Sequence, residues 1–217
     1  MLYQSDRWIL RGLAKEIYPI PNDIVCGLID EILSQRSLFA PIRSGFGDYK
    51  PLLNHRKIIC LRDFTQAHMR QKMKGRKFND FARPAEWLGV SQKFSLTKQF
   101  TLELAKSMHS SLVGKVMYAN VPPGVGVKWH VDPFPLFSGF TRFHLPVITT
   151  SKASFFMTEA GNFEMKGGVL YAYNAQPMHR VENDSGEERI HLIIDLLIER
   201  NKIFPNPIYM YEQIDMK

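Results

Sequence analysis

The stretch Gly126-Val-Lys-Trp-His-Val-Asp132 alternates as a strand does, so His130 and Asp132 project to one face while Trp129 and Val131 project to the other. The pattern recurs downstream. Gly167-Gly168-Val-Leu-Tyr-Ala-Tyr-Asn174 reads as a tight turn leading into an apolar strand, and Met178-His179-Arg180-Val181 resumes a strand after Pro177. A polar turn over 183–188 then precedes Arg189-Ile-His-Leu-Ile-Ile-Asp-Leu-Leu-Ile198, an apolar run too regular for a loop. Arg189 opens that strand opposite the one carrying His179, as a hairpin partner would. Over 141–147, Arg142 and His144 share one face, and Phe143, Leu145 and Val147 share the other. Working outward, strands are expected at 115–121, 126–132, 142–150, 153–158, 162–165, 168–173, 178–182 and 189–198, with Pro and Gly between them. Eight short strands in this order predict a mainly β chain folded as a double-stranded β-helix, the jelly-roll or cupin-like architecture.

The amino-terminal half has a different period. Pro21-Asn22-Asp23 followed by Ile24, Val25, Leu28, Ile29, Ile32 and Leu33 predicts a capped amphipathic helix, and Thr97 to Leu112 predicts another, stopped by Gly114. These flanking helices are expected to pack on the large sheet. At 217 residues the chain fits one domain. It divides into a mostly helical support and substrate-loop region over 1–114, a jelly-roll catalytic core over 115–199 and a carboxy-terminal tail over 200–217. With 45% apolar and 23% charged residues, no run approaching a membrane span and no basic segment leading into an apolar one, a soluble cytoplasmic protein without a membrane partner is expected. Cys26, on the apolar helix stripe, and Cys60 read as buried free thiols rather than a disulfide.

Two imidazoles and one carboxylate can hold one face of a ferrous ion and leave its other positions open. His130, Asp132 and His179 supply that set, and burying all three in a barrel without a metal would be costly. A guanidinium at Arg189 can grip a carboxylate bidentately at about one small dicarboxylic acid's length from the metal. The plain alternatives are a weak surface pairing of Arg189 with Glu187, Glu188 or Asp195, and a hydrogen-bonded structural role for His144. His191, on the face of Arg189, is read as structural.

Taken in order, His130-Val-Asp132, Arg142-Phe-His144-Leu145 and His179-Arg-Val181 with Arg189 ten residues after His179 resemble the iron(II)- and 2-oxoglutarate-dependent oxygenases, specifically the aspartyl/asparaginyl β-hydroxylase branch, over about residues 115–199. The resemblance implies His130 and His179 as metal ligands and Arg142, His144 and Arg189 as the 2-oxoglutarate-binding set. Asp132, absent from animal members of the branch, makes the site look like the ordinary two-His-one-carboxylate oxygenase and argues against halogenation. A hydroxyl-bearing residue expected near position 119 is Ala119 here, which leaves Tyr118 or Asn120 as replacements. Iron(II), 2-oxoglutarate and oxygen are the implied cofactor and co-substrates, with succinate and carbon dioxide released as an amino acid or a peptide or protein side chain is hydroxylated. The net charge of +7 and the run of Arg70, Lys72, Lys74, Arg76 and Lys77 keep a nucleic-acid substrate as the second reading. A non-oxoglutarate cupin metalloenzyme, or a metal-binding module, would keep the metal ligands without needing Arg189.

Overall fold

The computed structural model describes residues 14–41, 57–63, 85–130, 140–149, 154–158, 161–173 and 178–198. The amino-terminal half contributes β1 (Ala14–Pro19), β2 (Ala40–Pro41), β3 (Lys57–Asp63) and β4 (Glu86–Trp87). The strands expected downstream all form, as β5 (Ser110–Val121), β6 (Val125–His130), β7 (Thr141–Ile148), β8 (Ser154–Thr158), β9 (Gly161–Phe163), β10 (Val169–Tyr173), β11 (His179–Asn183) and β12 (Arg189–Ile198). One antiparallel sheet runs β1-β10-β7-β12-β5-β3-β2 with β4 beside β3, and a second runs β6-β11-β8-β9. This is the jelly-roll arrangement, but the region expected to be mostly helical also supplies strands at both margins of the large sheet.

Two helices cover that sheet, α1 (Asn22–Ser34) and α2 (Ser95–Ser107). The α1 stripe Ile24, Leu28 and Ile32 recurs every four residues and is buried, whereas Cys26 lies off the stripe and is exposed, contrary to expectation. Cys60 is half-buried, and burial pushes its thiol up to about 12, which leaves it unreactive. The expected cap on α1 is also absent: Asn22 lies inside the helix, Pro21 is the cap residue, and no side chain bonds to the free amides. The second helix is capped by the first. Glu31 accepts from the amides of Leu96 and Thr97 at 2.8 and 2.9 Å, which places a carboxylate on an N-terminus.

Gly114 does not stop α2. The helix ends earlier, at Ser107, and His109 just beyond it has a φ of 49°, a left-handed backbone that His tolerates better than most side chains. Gly114 lies inside β5, where a Cβ would meet the Phe140 ring at 2.8 Å and Asp195 Cβ at 3.2 Å.

The hairpin expected between the His179 and Arg189 strands does not form, because β11 pairs with β6 and β8 while β12 pairs with β5 and β7. The burial explains the separation. In β12 both faces are covered through Leu196, which requires a central place in the large sheet, whereas β11 is buried at alternate residues only. The chain changes sheets at a corner built on Asn183, whose Nδ2 donates to the carbonyls of Val121, Pro122 and Glu187 at 2.8, 3.1 and 2.9 Å. Its Oδ1 accepts from the Ser185 hydroxyl at 2.6 Å. Since β5 also leaves its sheet through Val121 and Pro122, one buried amide fastens two sheet-to-sheet crossings.

Candidate active site

Opposite Val181 on β11 stands Val127 of β6, and opposite His179 stands His130. Three residues of β6 therefore span two of β11, which is a β-bulge. Strict alternation from the buried Val127 would have turned Trp129 inward and His130 away from His179. The bulge reverses this. Trp129 is 41% exposed with the Arg180 guanidinium 5.3 Å from its ring centre, and the His130 and His179 ring centroids lie 4.2 Å apart. His179 is 2% exposed. His130 Nδ1 sits 2.7 Å from the Lys128 carbonyl, which can only accept, so Nδ1 is the donor there and Nε2 is the nitrogen left for a metal. A ring nitrogen tied to a carbonyl while the other bears the lone pair is the usual preparation of a metal-binding imidazole.

The large sheet presents its own polar groups to the same interior. On β12, Ile190, Leu192, Ile194 and Leu196 join the core beneath the helices, which turns Arg189, His191, Ile193 and Asp195 to the opposite face. Val121, the register partner of Arg189, packs with Val127 and Val181 of the small sheet, so that face is the one between the sheets. Arg189 is 5% exposed, and its Nη2 is 3.4 Å from His191 Nδ1. His191 Nδ1 is also 3.4 Å from His144 Nδ1, with the two rings edge to face. Burial, then the neighbouring Arg189 and His144, hold the His191 imidazole well below its ordinary 6.5 and keep it neutral.

Arg142 shares this face but is committed to a buried fork. Its Nε and Nη2 donate to the two Asp195 oxygens at 2.8 and 2.9 Å. Of the carboxylates weighed as partners of Arg189, Asp195 is thus engaged by Arg142, and Glu188 meets Arg36 at 2.7 Å.

The structure does not bring Tyr118 to the site. Tyr118 lies on the helix side of β5, its hydroxyl 2.6 Å from Thr97 Oγ1, and burial raises its phenol above the ordinary range. Asn120 has the same parity, opposite Ile190, and its buried Oδ1 has no hydrogen-bond partner among the described residues. The side chain facing inward at this level is Ala119, directly across from His191. Asp132 lies outside the described residues, and among those described no three His, Cys, Asp or Glu side chains are grouped as a metal ion would need. The sequence marks His191 only as a structural residue sharing the parity of Arg189, and nothing in it singles out Asn183.

One interior therefore holds two adjacent imidazoles and a buried guanidinium beside His191, which in turn meets His144. The first pair suits a borderline divalent cation, and the second group suits a carboxylate.

The family described as Aspartyl/Asparaginyl beta-hydroxylase matches residues 82–198. No curated protein matches the chain in sequence. Among solved structures, a Pseudomonas putida prolyl-4-hydroxylase is similar over 92% of this chain and 100% of its own, at 14% identity and a TM-score of 0.52. An oxidoreductase of the 2OG-Fe(II) oxygenase family from Burkholderia pseudomallei is similar over 88% and 87% of the two chains, at 8% identity and a TM-score of 0.55. A Trichoplax adhaerens prolyl hydroxylase, in complex with a hypoxia inducible factor peptide fragment, is similar over 88% and 86%, at 12% identity and a TM-score of 0.52. These likenesses establish the shared fold.

Proposed function

The chain belongs to the aspartyl/asparaginyl β-hydroxylase family and is an enzyme of the hydroxylase class, and from that premise we propose that it is an iron(II)- and 2-oxoglutarate-dependent oxygenase. Its substrate is an amino acid, or an aspartyl- or asparaginyl-type side chain in a peptide or protein. The observation that carries this reading is the bulge that sets His130 beside His179 on the interior that Arg189 also faces.

The donor set fits the cofactors. His130 and His179 are neutral-capable imidazoles side by side, one already held by a backbone carbonyl, and Asp132 follows two residues on as the third ligand. When bound, iron(II), 2-oxoglutarate and oxygen together supply the oxidation that converts C–H to C–OH with release of succinate and carbon dioxide. The protein's own contribution is placement. Arg189 receives the far carboxylate of 2-oxoglutarate through charge-assisted bonds, with His191 beside it and His144 next to His191. Val121, Val127 and Val181 pack together on the interior between the sheets and give it an apolar lining that would help exclude water. A peptide substrate is consistent with the peptide seen on the Trichoplax adhaerens enzyme of the same fold. The second reading, a nucleic-acid substrate, rests on the net charge of +7.

The test measures iron binding and succinate formation across a panel of amino acids, acidic peptides and single-stranded nucleic acids. His130→Ala and His179→Ala should each lower iron affinity by orders of magnitude and abolish turnover. Full iron binding and activity in His179→Ala would refute the assignment. Iron-dependent oxidation that ignores 2-oxoglutarate would move the protein to the cupin dioxygenases, and steep salt-dependent binding with turnover of nucleic acid alone would promote the second reading.

A further inference from the structure

We propose that His191 is a co-substrate-binding residue: it steadies the Arg189 guanidinium through Nδ1 and offers its Nε2–H to the far carboxylate of 2-oxoglutarate. This rests on the 2-oxoglutarate reading above. The proton placement follows from the neighbours. A guanidinium has no acceptor, so in the 3.4 Å contact with Arg189 Nη2 the His191 Nδ1 accepts. In the 3.4 Å contact between the two histidines, His144 Nδ1 is then the donor. The neutral His191 ring must carry its one proton on Nε2.

That Nε2 is buried and has no hydrogen-bond partner among the described residues, in a side chain only 1% exposed. A buried N–H left unmade is rare in native proteins and asks for an explanation. The sheet itself offers none. The cross-strand neighbours of His191 are Ala119 on β5 and Pro146 on β7, and neither side chain has an acceptor. A ligand oxygen brought to Nε2 would satisfy the donor, and the adjoining Arg189 favours an anionic one. The position also answers what replaces the hydroxyl missing at Ala119. Tyr118 and Asn120 lie on the helix side, whereas His191 stands directly across from Ala119 on the inner face.

The experiment titrates 2-oxoglutarate into the iron(II)-loaded full chain without oxygen, so that calorimetry reads binding and no turnover occurs. His191→Phe keeps a planar ring and removes both nitrogens; His191→Gln restores a donor and an acceptor. We expect His191→Phe to weaken 2-oxoglutarate binding by about 10- to 100-fold with iron affinity unchanged, and His191→Gln to recover to within a few-fold. In turnover, KM for 2-oxoglutarate should rise while kcat holds. Wild-type affinity in a folded His191→Phe, or equal loss in both variants, overturns the proposal. Should His191→Phe fail to fold, nitrogen-15 spectra of the wild-type protein carrying diamagnetic zinc decide. They should show the Nε2–H tautomer at His191 and a shift of that proton at saturating 2-oxoglutarate, and an unmoved proton overturns the proposal. A wild-type protein that binds iron but no 2-oxoglutarate would instead sink the function reading, and this inference with it.

Discussion

Breaking the Arg142–Asp195 fork should destabilise the protein far more than removing both partners together. The two side chains are 5% and 0% exposed, and both guanidinium contacts are below 3 Å. Removing one partner strands a charge where water cannot reach it, which costs about 3–5 kcal/mol, whereas replacing both by apolar groups is close to neutral. Against a total stability of about 5–15 kcal/mol for a domain, a single loss removes about a fifth or more. With a urea m-value of about 2–3 kcal/mol/M at this chain length, Arg142→Met or Asp195→Leu should lower the midpoint by about 1–2 M. The double variant Arg142→Met/Asp195→Leu should regain most of that, so the coupling energy in the cycle is most of the sum of the two single losses, about 5–8 kcal/mol. Leu adds bulk beside Gly114, where the packing already admits no Cβ without a shift, so recovery stops short of complete. The assay is urea unfolding of the four proteins, followed by calorimetric titration of 2-oxoglutarate into those that fold. If Arg142→Met unfolds within about 0.5 kcal/mol of wild type yet loses 2-oxoglutarate, the pair is not a structural tie and Arg142 contacts the co-substrate directly.

Three further outcomes follow from contacts outside that pair. Glu31→Ala should cost about 1–2 kcal/mol in urea unfolding by uncovering the amides of Leu96 and Thr97, and an unchanged midpoint would show that water replaces the carboxylate. Asn183→Ala should cost about 2–3 kcal/mol and speed hydrogen exchange at the Ser185 and Glu187 amides; normal exchange there would show that the corner holds without it. Since His191 is held below 6.5 in the folded chain, the unfolded chain binds the extra proton below that pH. Stability should therefore fall as pH drops below 6.5, by up to about 1.4 kcal/mol per unit. His191→Gln should lose that component, and identical curves for the two proteins between pH 7 and 5 would refute the burial of a neutral imidazole.

Strand positions and the inward parity of β7 and β12 were legible in the sequence, because alternation depends only on residues two apart on one strand. Arg142 with His144, and Arg189 with His191, declared their shared faces in that way, and β5 to β12 appear where the Pro and Gly punctuation put them. The helix stripe of Ile24, Leu28 and Ile32 was equally local. What only the tertiary structure decided involves a partner distant in sequence. Whether the Arg189 strand pairs with the His179 strand depends on which sheet can cover both faces of β12, and the large sheet beneath the helices is the one that does. Arg142 finds Asp195 because β7 and β12 lie in a register that sets them opposite one another. The bulge in β6 is the sharpest case: alternation counted back from Val127 points His130 away from His179, and only the pairing with β11, one residue out of step, brings the two imidazoles together.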